Sequence, residues 1–209
     1  MGDCSYGGNE NRRSVKSRRH FLRQAAPLTI IGFLSGCVEL ELDDFGAVDW
    51  SDDEEPDTFP APDDVYADEQ TLAYEQAIHD RVNAVRLDHD RNPLAKKEAI
   101  AAVARAHSAD MVEREYFAHE SPDGEGPGDR LDDFMPNPCR MIGENLANVG
   151  LFPENDDEVI AERVVSGWMD SAGHRENLLR DAFDVEGIGV AIREDDRVYV
   201  TQKLCAKTT

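Results

Sequence analysis

The spacing of apolar residues beyond position 70 predicts three helices. In the ranges Thr71–Asp90, Lys96–Glu115 and Asp156–Trp168, apolar side chains recur every three or four positions and so share one helical face. The three faces consist of Tyr74, Ile78, Val82 and Val85; of Ile100, Val103 or Ala104, His107 and Met111; and of Val159, Ile160, Val164, Val165 and Trp168. The second face includes a histidine in register. The Asn92-Pro93 pair separates the first helix from the second because proline disfavours helix at the residue before it.

The pattern changes after residue 184, where two apolar runs predict a β-hairpin. The runs Val185–Arg193 and Arg197–Cys205 are joined by the acidic pair Asp195-Asp196, which is typical of a short turn. Between the second and third helices, residues 121–128 are dense in Pro, Gly, Ser and Asp and predict a long surface loop. Helices followed by a terminal hairpin indicate the α+β class, with helices packed on a small sheet.

Residues 1–36 have the pattern of an export signal. Arg18-Arg19 precede Phe21-Leu22, which resembles a twin-arginine signal, and a twelve-residue apolar run, 25–36, follows. That run is too short to span a bilayer as a helix. It ends at Leu34-Ser35-Gly36-Cys37, which resembles a lipobox, so Cys37 is the predicted lipidation site. The alternative is a soluble secreted protein in which Cys37 is incidental.

Residues 37–70 predict an acidic, disordered linker. The stretch contains fourteen Asp and Glu residues and no Lys or Arg, and such a segment cannot bury enough apolar surface to offset the entropy of ordering it. The folded domain is therefore expected at residues 71–206, where we place any function. If Cys37 is lipidated, the linker holds this domain off the outer face of the cell membrane.

The charge of the chain limits its partners. There are 44 acidic and 22 basic residues, and the first 36 residues carry a balance of +4, so the remainder carries −26. This balance excludes a nucleic-acid binder that neutralises phosphates. The chain has only five lysines, and its acidic residues are spread over the helices, a composition that resembles proteins of extreme halophiles. High salt would screen the repulsion between so many acidic side chains. An acidic protein from an ordinary cell is the alternative.

Several catalytic signatures are absent from the sequence. There is no G-x-S-x-G, no phosphate-binding glycine loop, no H-E-x-x-H and no C-x-x-C. What remains is a set of polar residues placed against apolar runs, in the segments Tyr116–His119, Gly143–Ala147 and Trp168–Leu179, with Gly187–Val190 in the hairpin. Any site in this chain is expected to use these segments.

These segments, in this order and spacing, resemble the CAP superfamily, also called the SCP-like domain, in its bacterial and archaeal branch. The resemblance covers about residues 72–204 and includes Arg81–Arg86 in the first helix. It implies an α-β-α sandwich with a cleft lined by two histidines and two acidic residues. It also implies that this domain is exported.

Carried over by position, the resemblance places His119 and His174 as the cleft histidines and Glu144 as the first cleft glutamate. The second glutamate falls on Ser171 in this chain, which is a departure from the pattern. The neighbouring Asp170 cannot simply replace it, because adjacent helical residues point about 100° apart. The candidate ligands for a divalent metal such as zinc are therefore reduced to His119, Glu144 and His174.

The chemistry of the cleft residues leaves three interpretations open. Two imidazoles and one carboxylate could hold zinc with an open position, could serve as an acid–base pair, or could form a structural hydrogen-bond network. His107 is interpreted as a helix-packing residue because it is in register with Ile100 and Met111. No cofactor is required by the sequence.

Three functions compete at this stage. The first is a lipid-anchored, non-catalytic binding module on the cell surface, taking a lipid, a peptide or a surface polymer. The second is a divalent-metal-dependent hydrolase that uses the same cleft, and the third is a structural surface lipoprotein. The Ser171 departure and the lack of an activated nucleophile favour binding. We expect a monomer whose membrane contact is its lipid anchor.

The cysteines predict one disulfide. Cys4 lies in the leader and Cys37 is assigned to the lipid, which leaves Cys139 and Cys205 in a compartment where disulfides persist. The alternative is two free thiols too far apart to bridge.

Overall fold

The computed structural model describes residues 67–134, 139–152 and 156–207. The predicted signal peptide, Cys37 and nearly all of the predicted linker lie outside these residues. The described chain forms five helices and four strands: α1 Glu69–Asp88, β1 Ala95–Lys96, α2 Glu98–Glu113, α3 Pro127–Asp132, β2 Cys139–Gly150, α4 Asp157–Asp170, α5 Ala172–Leu178, β3 Val185–Arg193 and β4 Arg197–Lys207. Within these residues, no helix is both long and apolar enough to cross a membrane.

The four strands form one mixed sheet in the order β1-β3-β4-β2. β3 and β4 form the predicted hairpin, with Val190 opposite Val200, and β2 lies antiparallel to β4, with Glu144 opposite Lys203. The two-residue β1 pairs with β3 in parallel. Asp196 adopts a positive φ of 59° in the hairpin turn, a conformation that aspartate tolerates better than most residues. β4 therefore pairs with β3 on one side and with β2 on the other.

Helix α2 lies on one face of this sheet, directly on the backbone of β3. A Cβ atom at Gly187 or Gly189 would lie less than 3.0 Å from the backbone of Ala101 or Arg105 in α2. Glycine at these two positions is what allows such a close helix–strand approach. A side chain there would force the helix away from the sheet.

The opposite face of the sheet carries α1 and α4. The main core lies between these helices and the sheet, and all of its members are nearly or fully inaccessible to solvent. It includes Ile78 and Val82 of α1, Val164 and Trp168 of α4, and Ile188, Val190, Val198, Val200 and Leu204 of the hairpin. Helices on both faces of one sheet make the predicted α-β-α sandwich, and the α+β class is confirmed.

Some elements differ from the sequence prediction. The three predicted helices are present, with their ends displaced by up to two residues. The predicted long surface loop at residues 121–128 is cut short, because Pro127 occupies the first turn of α3, where a missing N–H costs nothing. The long strand β2 and the short helix α5 were not anticipated by the apolar pattern. β2 carries Glu144, so this strand decides where the site lies.

A disulfide joins Cys139 and Cys205, as predicted. The two Cα atoms lie 5.4 Å apart, and the bond links the start of β2 to the end of β4. Ile142 is the strand partner of Cys205, and Glu144 follows two residues later on β2. The disulfide therefore joins β2 to β4 close to Glu144.

Candidate functional site

Glu144 is the centre of the site that the sequence predicted. It lies on β2, on the face of the sheet that α2 covers, and its side chain is 2% exposed. Its strand partner Lys203, fully buried on β4, donates from Nζ to Oε2 of Glu144 over 2.6 Å. The same ammonium donates to the carbonyl oxygen of Pro127 over 3.1 Å. A buried lysine is rare without a partner, and here the register of two strands supplies one.

Two further side chains donate to the same carboxylate. Arg130 of α3 lies 3.2 Å from Oε2 and 3.4 Å from Oε1 through Nη2, and it also donates to the carbonyl oxygens of His119 and Glu125. His119 lies with Nδ1 2.9 Å from Oε1. Because an ionised carboxylate only accepts hydrogen bonds, Nδ1 of His119 carries the proton. Its Nε2 is then the nitrogen left for other partners, and the side chain is 51% exposed.

The electrostatics of this cluster keep Glu144 charged. Burial alone raises the pKa of Glu144, but the hydrogen bond from His119 and the charge of Lys203 outweigh it and lower the pKa to about 2. Burial in turn lowers the pKa of Lys203 to about 8, against the opposing charge of Glu144. The pair is therefore ionised at neutral pH.

His107 completes what we call the Glu144 cluster, defined as Glu144, Lys203, Arg130, His119 and His107. It lies on α2 with Nε2 3.2 Å from the carbonyl oxygen of Ala118 and 3.9 Å from Oε1 of Glu144. Burial lowers the pKa of His107 to about 4, so it is neutral at pH 7. It packs in the helix interface as predicted, and it also contacts the site.

His174 and Ser171 lie beside the cluster. Ser171 has extended backbone between α4 and α5, and His174 lies in the first turn of α5. Burial, followed by the charge of His119, lowers the pKa of His174. The position of α5 is fixed by Asn145, which donates to the carbonyl oxygen of His174 over 3.2 Å, and by Asn177, which donates to the carbonyl oxygen of Glu144 over 3.3 Å.

The residues present do not fit the three-ligand zinc site that the sequence suggested. In the described ranges, no three histidine, cysteine, aspartate or glutamate side chains come together in a way that could hold a metal ion. His119 and Glu144 are joined, but they are joined to each other through Nδ1 and Oε1. The other oxygen of Glu144 accepts from Lys203. We therefore derive no chemistry through a metal at this site.

A groove with a volume of 620 Å³ lies next to the cluster, between β2 and α4. We call it the cleft groove. Its lining includes Phe117, Leu146, Trp168, Ser171, His174 and Arg197, and the described residues that line it include no acidic side chain. Trp168 is buried, and its indole N–H donates to the carbonyl oxygen of Leu146 over 3.0 Å, which ties α4 to β2.

The groove between α1 and α4 has the opposite character. It is lined by five acidic side chains and two arginines among its described residues: Asp80, Asp156, Asp157, Glu158 and Glu162, with Arg81 and Arg163. In a strongly acidic chain, the absence of acids from the cleft groove is the unusual feature.

Sequence reasoning missed the charged residues that complete the cluster and a second buried polar chain. Lys203 and Arg130 belong to no motif, although a lysine within the apolar run Val198–Ala206 is a signal that could have been noticed.

The second buried polar chain lies on the α1 face of the sheet. There, Nδ1 of His79 lies 2.6 Å from Oε1 of the buried Glu186. From Glu186 the hydrogen bonds continue through Gln202 to Asn145.

Comparisons with known proteins agree with this fold. The family model described as CAP, the cysteine-rich secretory protein family, matches residues 79–204. The uncharacterised protein YkwD of Bacillus subtilis is 36% identical over 117 residues, which are 56% of this chain and 42% of that protein. This chain therefore matches less than half the length of that relative.

Two solved structures are similar as well. One is an extracellular protein of Bacillus anthracis that contains an SCP domain, with 33% identity and a TM-score of 0.53 over 66% of this chain and 41% of that one. The other is an outer surface protein of Borrelia burgdorferi, with 18% identity and a TM-score of 0.57 over 66% and 96% of the two chains. The second likeness shows the fold alone. By its family match and its fold, this chain belongs to the CAP family, the cysteine-rich secretory proteins.

Proposed function

We propose that this protein is a lipid-anchored binding module on the outer face of the cell membrane, and that the cleft groove takes an acidic amphiphile. A ligand of this kind has an anionic head and an apolar part. The observation that carries the proposal is that the described lining of the cleft groove has no acidic side chain in a chain of net charge −22.

The anionic part of the ligand is assigned to one end of the groove. Arg197 is exposed, and its described hydrogen-bond partners are the side-chain and backbone oxygens of Asn148, which are neutral. Asp195 of the hairpin turn hydrogen-bonds to Arg193 and interacts with the Arg197 guanidinium through charge alone, so the N–H groups of Arg197 can still donate to a carboxylate or phosphate. His174 contributes a polar contact in the same groove.

The apolar part of the ligand is assigned to the floor of the groove. Phe117 is 49% exposed, and its ring makes an angle of 71° with the ring of Tyr199, with centroids 6.0 Å apart. Leu146, Val149 and Val164 add aliphatic surface. Apolar lining with a few convergent polar groups is typical of a small-molecule site. The site lacks an activated nucleophile among the described residues, which favours binding over hydrolysis.

A titration with matched probes tests the groove. Dodecanoate and dodecanol share a chain length and differ in the head group, so the proposal expects saturable dodecanoate binding that is at least about tenfold tighter than dodecanol binding. Arg197→Gln should weaken dodecanoate binding by about tenfold. Arg91→Gln, which removes an exposed arginine paired with Asp181 elsewhere, should leave it unchanged. Saturable binding of an acidic peptide or a surface polymer, with no binding of dodecanoate, would replace the amphiphile by that ligand.

The anchor is tested separately from the groove. Cys37→Ser should move the protein from the membrane fraction to the soluble fraction, because no helix of the described domain is able to span a membrane. The thermal unfolding of the variant should be the same as that of the wild type. Retention of the variant with membranes in high salt would remove the lipid anchor from the proposal.

A further inference from the structure

We infer that the outer edge of β2 supplies a backbone donor to the ligand of the cleft groove: the N–H of Asn148, beside the Arg197 guanidinium, takes the anionic head group. The outer edge is the side of β2 that faces away from β4. The inference rests on the proposed function and adds a second donor for the same carboxylate or phosphate. It follows from the directions in which the strands of the sheet form their hydrogen bonds.

The first step is the direction of the hydrogen bonds on β3. A strand residue in an antiparallel pair directs its N–H and its C=O to the same side, and successive residues alternate between the two sides. The carbonyl oxygen of Glu186 accepts from the backbone N–H that follows β1 over 2.9 Å, and the N–H of Val190 donates to Glu75 over 3.2 Å. These two residues of β3 therefore face away from β4, and Gly189 bonds to its partner on β4, Thr201.

The second step carries the alternation across β4 to β2. Because Thr201 bonds to β3, Val200 beside it bonds to β2, where its partner is Ala147. Asn148 follows Ala147 and therefore directs its N–H and its C=O to the outer edge. Leu146 precedes Ala147, and its carbonyl oxygen accepts from an indole N–H of α4 over 3.0 Å, which agrees with this direction.

The third step is which groups on the outer edge are already paired. The outward carbonyl oxygens of Glu144, Leu146 and Gly150 accept from side chains of α5 and α4 over 3.3, 3.0 and 2.8 Å. The N–H of Asn148 has no hydrogen-bond partner among the residues that the structure describes. An added peptide strand would need those carbonyl oxygens as acceptors, whereas an ionised head group only accepts. The outer edge therefore fits a carboxylate or phosphate better than it fits a peptide.

The fourth step is the position of the cation. Asn148 is partly buried and Arg197 is exposed, and both line the cleft groove. Arg197 donates from Nε to Oδ1 of Asn148 over 2.6 Å, and its Nη2 lies 3.4 Å from the carbonyl oxygen of the same residue. The guanidinium and the unpaired N–H therefore lie at one residue of the groove, where a single anionic group can accept from both.

The experiment compares dodecanoate binding by the Asn148→Pro and Asn148→Ala variants of the full chain, measured by calorimetry. Both variants lose the asparagine side chain, but proline also lacks the backbone N–H. Proline is compatible with an edge strand when that N–H would face away from the neighbouring strand. We expect Asn148→Pro to bind dodecanoate at least about tenfold more weakly than Asn148→Ala, because only the proline variant has lost a donor to a charged group.

The wild-type protein provides a second readout, which decides the question if Asn148→Pro does not fold. The amide proton of Asn148 should exchange with solvent at least about tenfold faster than those of Ala147 and Val149, which bond to β4. Dodecanoate should shift the amide signal of Asn148 saturably. Acetate, which has the carboxylate without the chain, should shift the same signal. If only acetate does so, the proposed amphiphile is wrong and the backbone donor stands.

Two outcomes overturn the inference. One is measurable dodecanoate binding that is equally tight in folded Asn148→Pro and in Asn148→Ala. The other is an Asn148 amide in the wild type that exchanges as slowly as its neighbours, or whose signal moves with neither dodecanoate nor acetate.

Discussion

Glu75 of α1 and Arg105 of α2 meet at the edge of β3, joining the two helical layers around the sheet. Oε2 of Glu75 lies 2.7 Å from Nη2 of Arg105, and Oε1 of Glu75 accepts the backbone N–H of Val190 over 3.2 Å. β1 pairs with β3 at residues 185 and 186 only. The Glu75–Arg105 pair therefore satisfies a backbone group on a strand edge that β1 leaves open.

Removing this pair should destabilise the domain strongly. Glu75→Ala leaves Arg105 nearly buried and the N–H of Val190 without its acceptor, so we expect a loss of about 3 kcal/mol in the free energy of unfolding. Glu98, which is more than half exposed, also pairs with Arg105. Glu98→Ala should cost less than about 1 kcal/mol by the same urea titration. Equal costs for the two variants would contradict the edge role of Glu75.

Gly189 should tolerate no side chain. Its Cβ would collide with the backbone of α2, so Gly189→Ala should lower the free energy of unfolding by at least about 3 kcal/mol or prevent folding. Gly167, inside α4, meets nothing within 4 Å. Gly167→Ala should therefore be neutral or stabilise the helix by up to about 1 kcal/mol. Thermal unfolding of the two variants gives the comparison, and a mild effect at Gly189 would mean that α2 can move off the sheet.

The disulfide should contribute several kcal/mol. It closes a loop with a sequence separation of 66 residues, for which the chain-entropy account gives about 4 kcal/mol. Reduction, or Cys139→Ser with Cys205→Ser, should lower the free energy of unfolding by about this amount. Mass spectrometry after alkylation without reductant should show neither thiol labelled in native protein. Full labelling of both thiols would contradict the bond.

Glu144 should make the domain sensitive to acid. Its pKa of about 2 lies below the ordinary value of 4.5, so the stability it contributes is complete above pH 4.5 and is lost as pH falls towards 2. Linkage gives about 3 kcal/mol for this interval. The difference between wild type and Glu144→Gln in urea titrations from pH 6 to pH 2 should shrink by that amount. Glu176→Gln, which removes an exposed carboxylate, should leave the loss of stability between pH 6 and pH 2 the same as in the wild type.

The elements that could be predicted are the helices and strands that have one apolar face and one polar face. α1, α2, α4 and the hairpin have this pattern and were predicted within two residues at their ends. β2 lies between two covered faces and carries Glu144 towards α2 and Asn145 towards the other layer. Polar groups buried on both faces erase the alternation that identifies a strand.

The site was predictable as far as motifs carried it. His119 and Glu144 were brought together by the family resemblance, and the structure places them in contact. Lys203 lies 59 residues beyond Glu144, and Arg130 lies 14 residues before it. Both are charged residues that the general rule assigns to the surface. Their burial depends on strand register and on α3, which local patterns do not determine.

The central place of β4 sets an order of assembly. β2 pairs with β4 and with no other described strand, although β3 precedes β4 along the chain. In a nascent chain that has been synthesised only as far as β3, β2 therefore has no pairing strand, and Glu144 lacks its hydrogen bond from Lys203. The arrival of a single strand supplies the hairpin, the pairing of β2, the lysine and the second cysteine together. The sheet is consequently completed in one cooperative step that waits for β4, and a ribosome that stalls before residue 197 leaves a chain with β2 unpaired and exposed to aggregation.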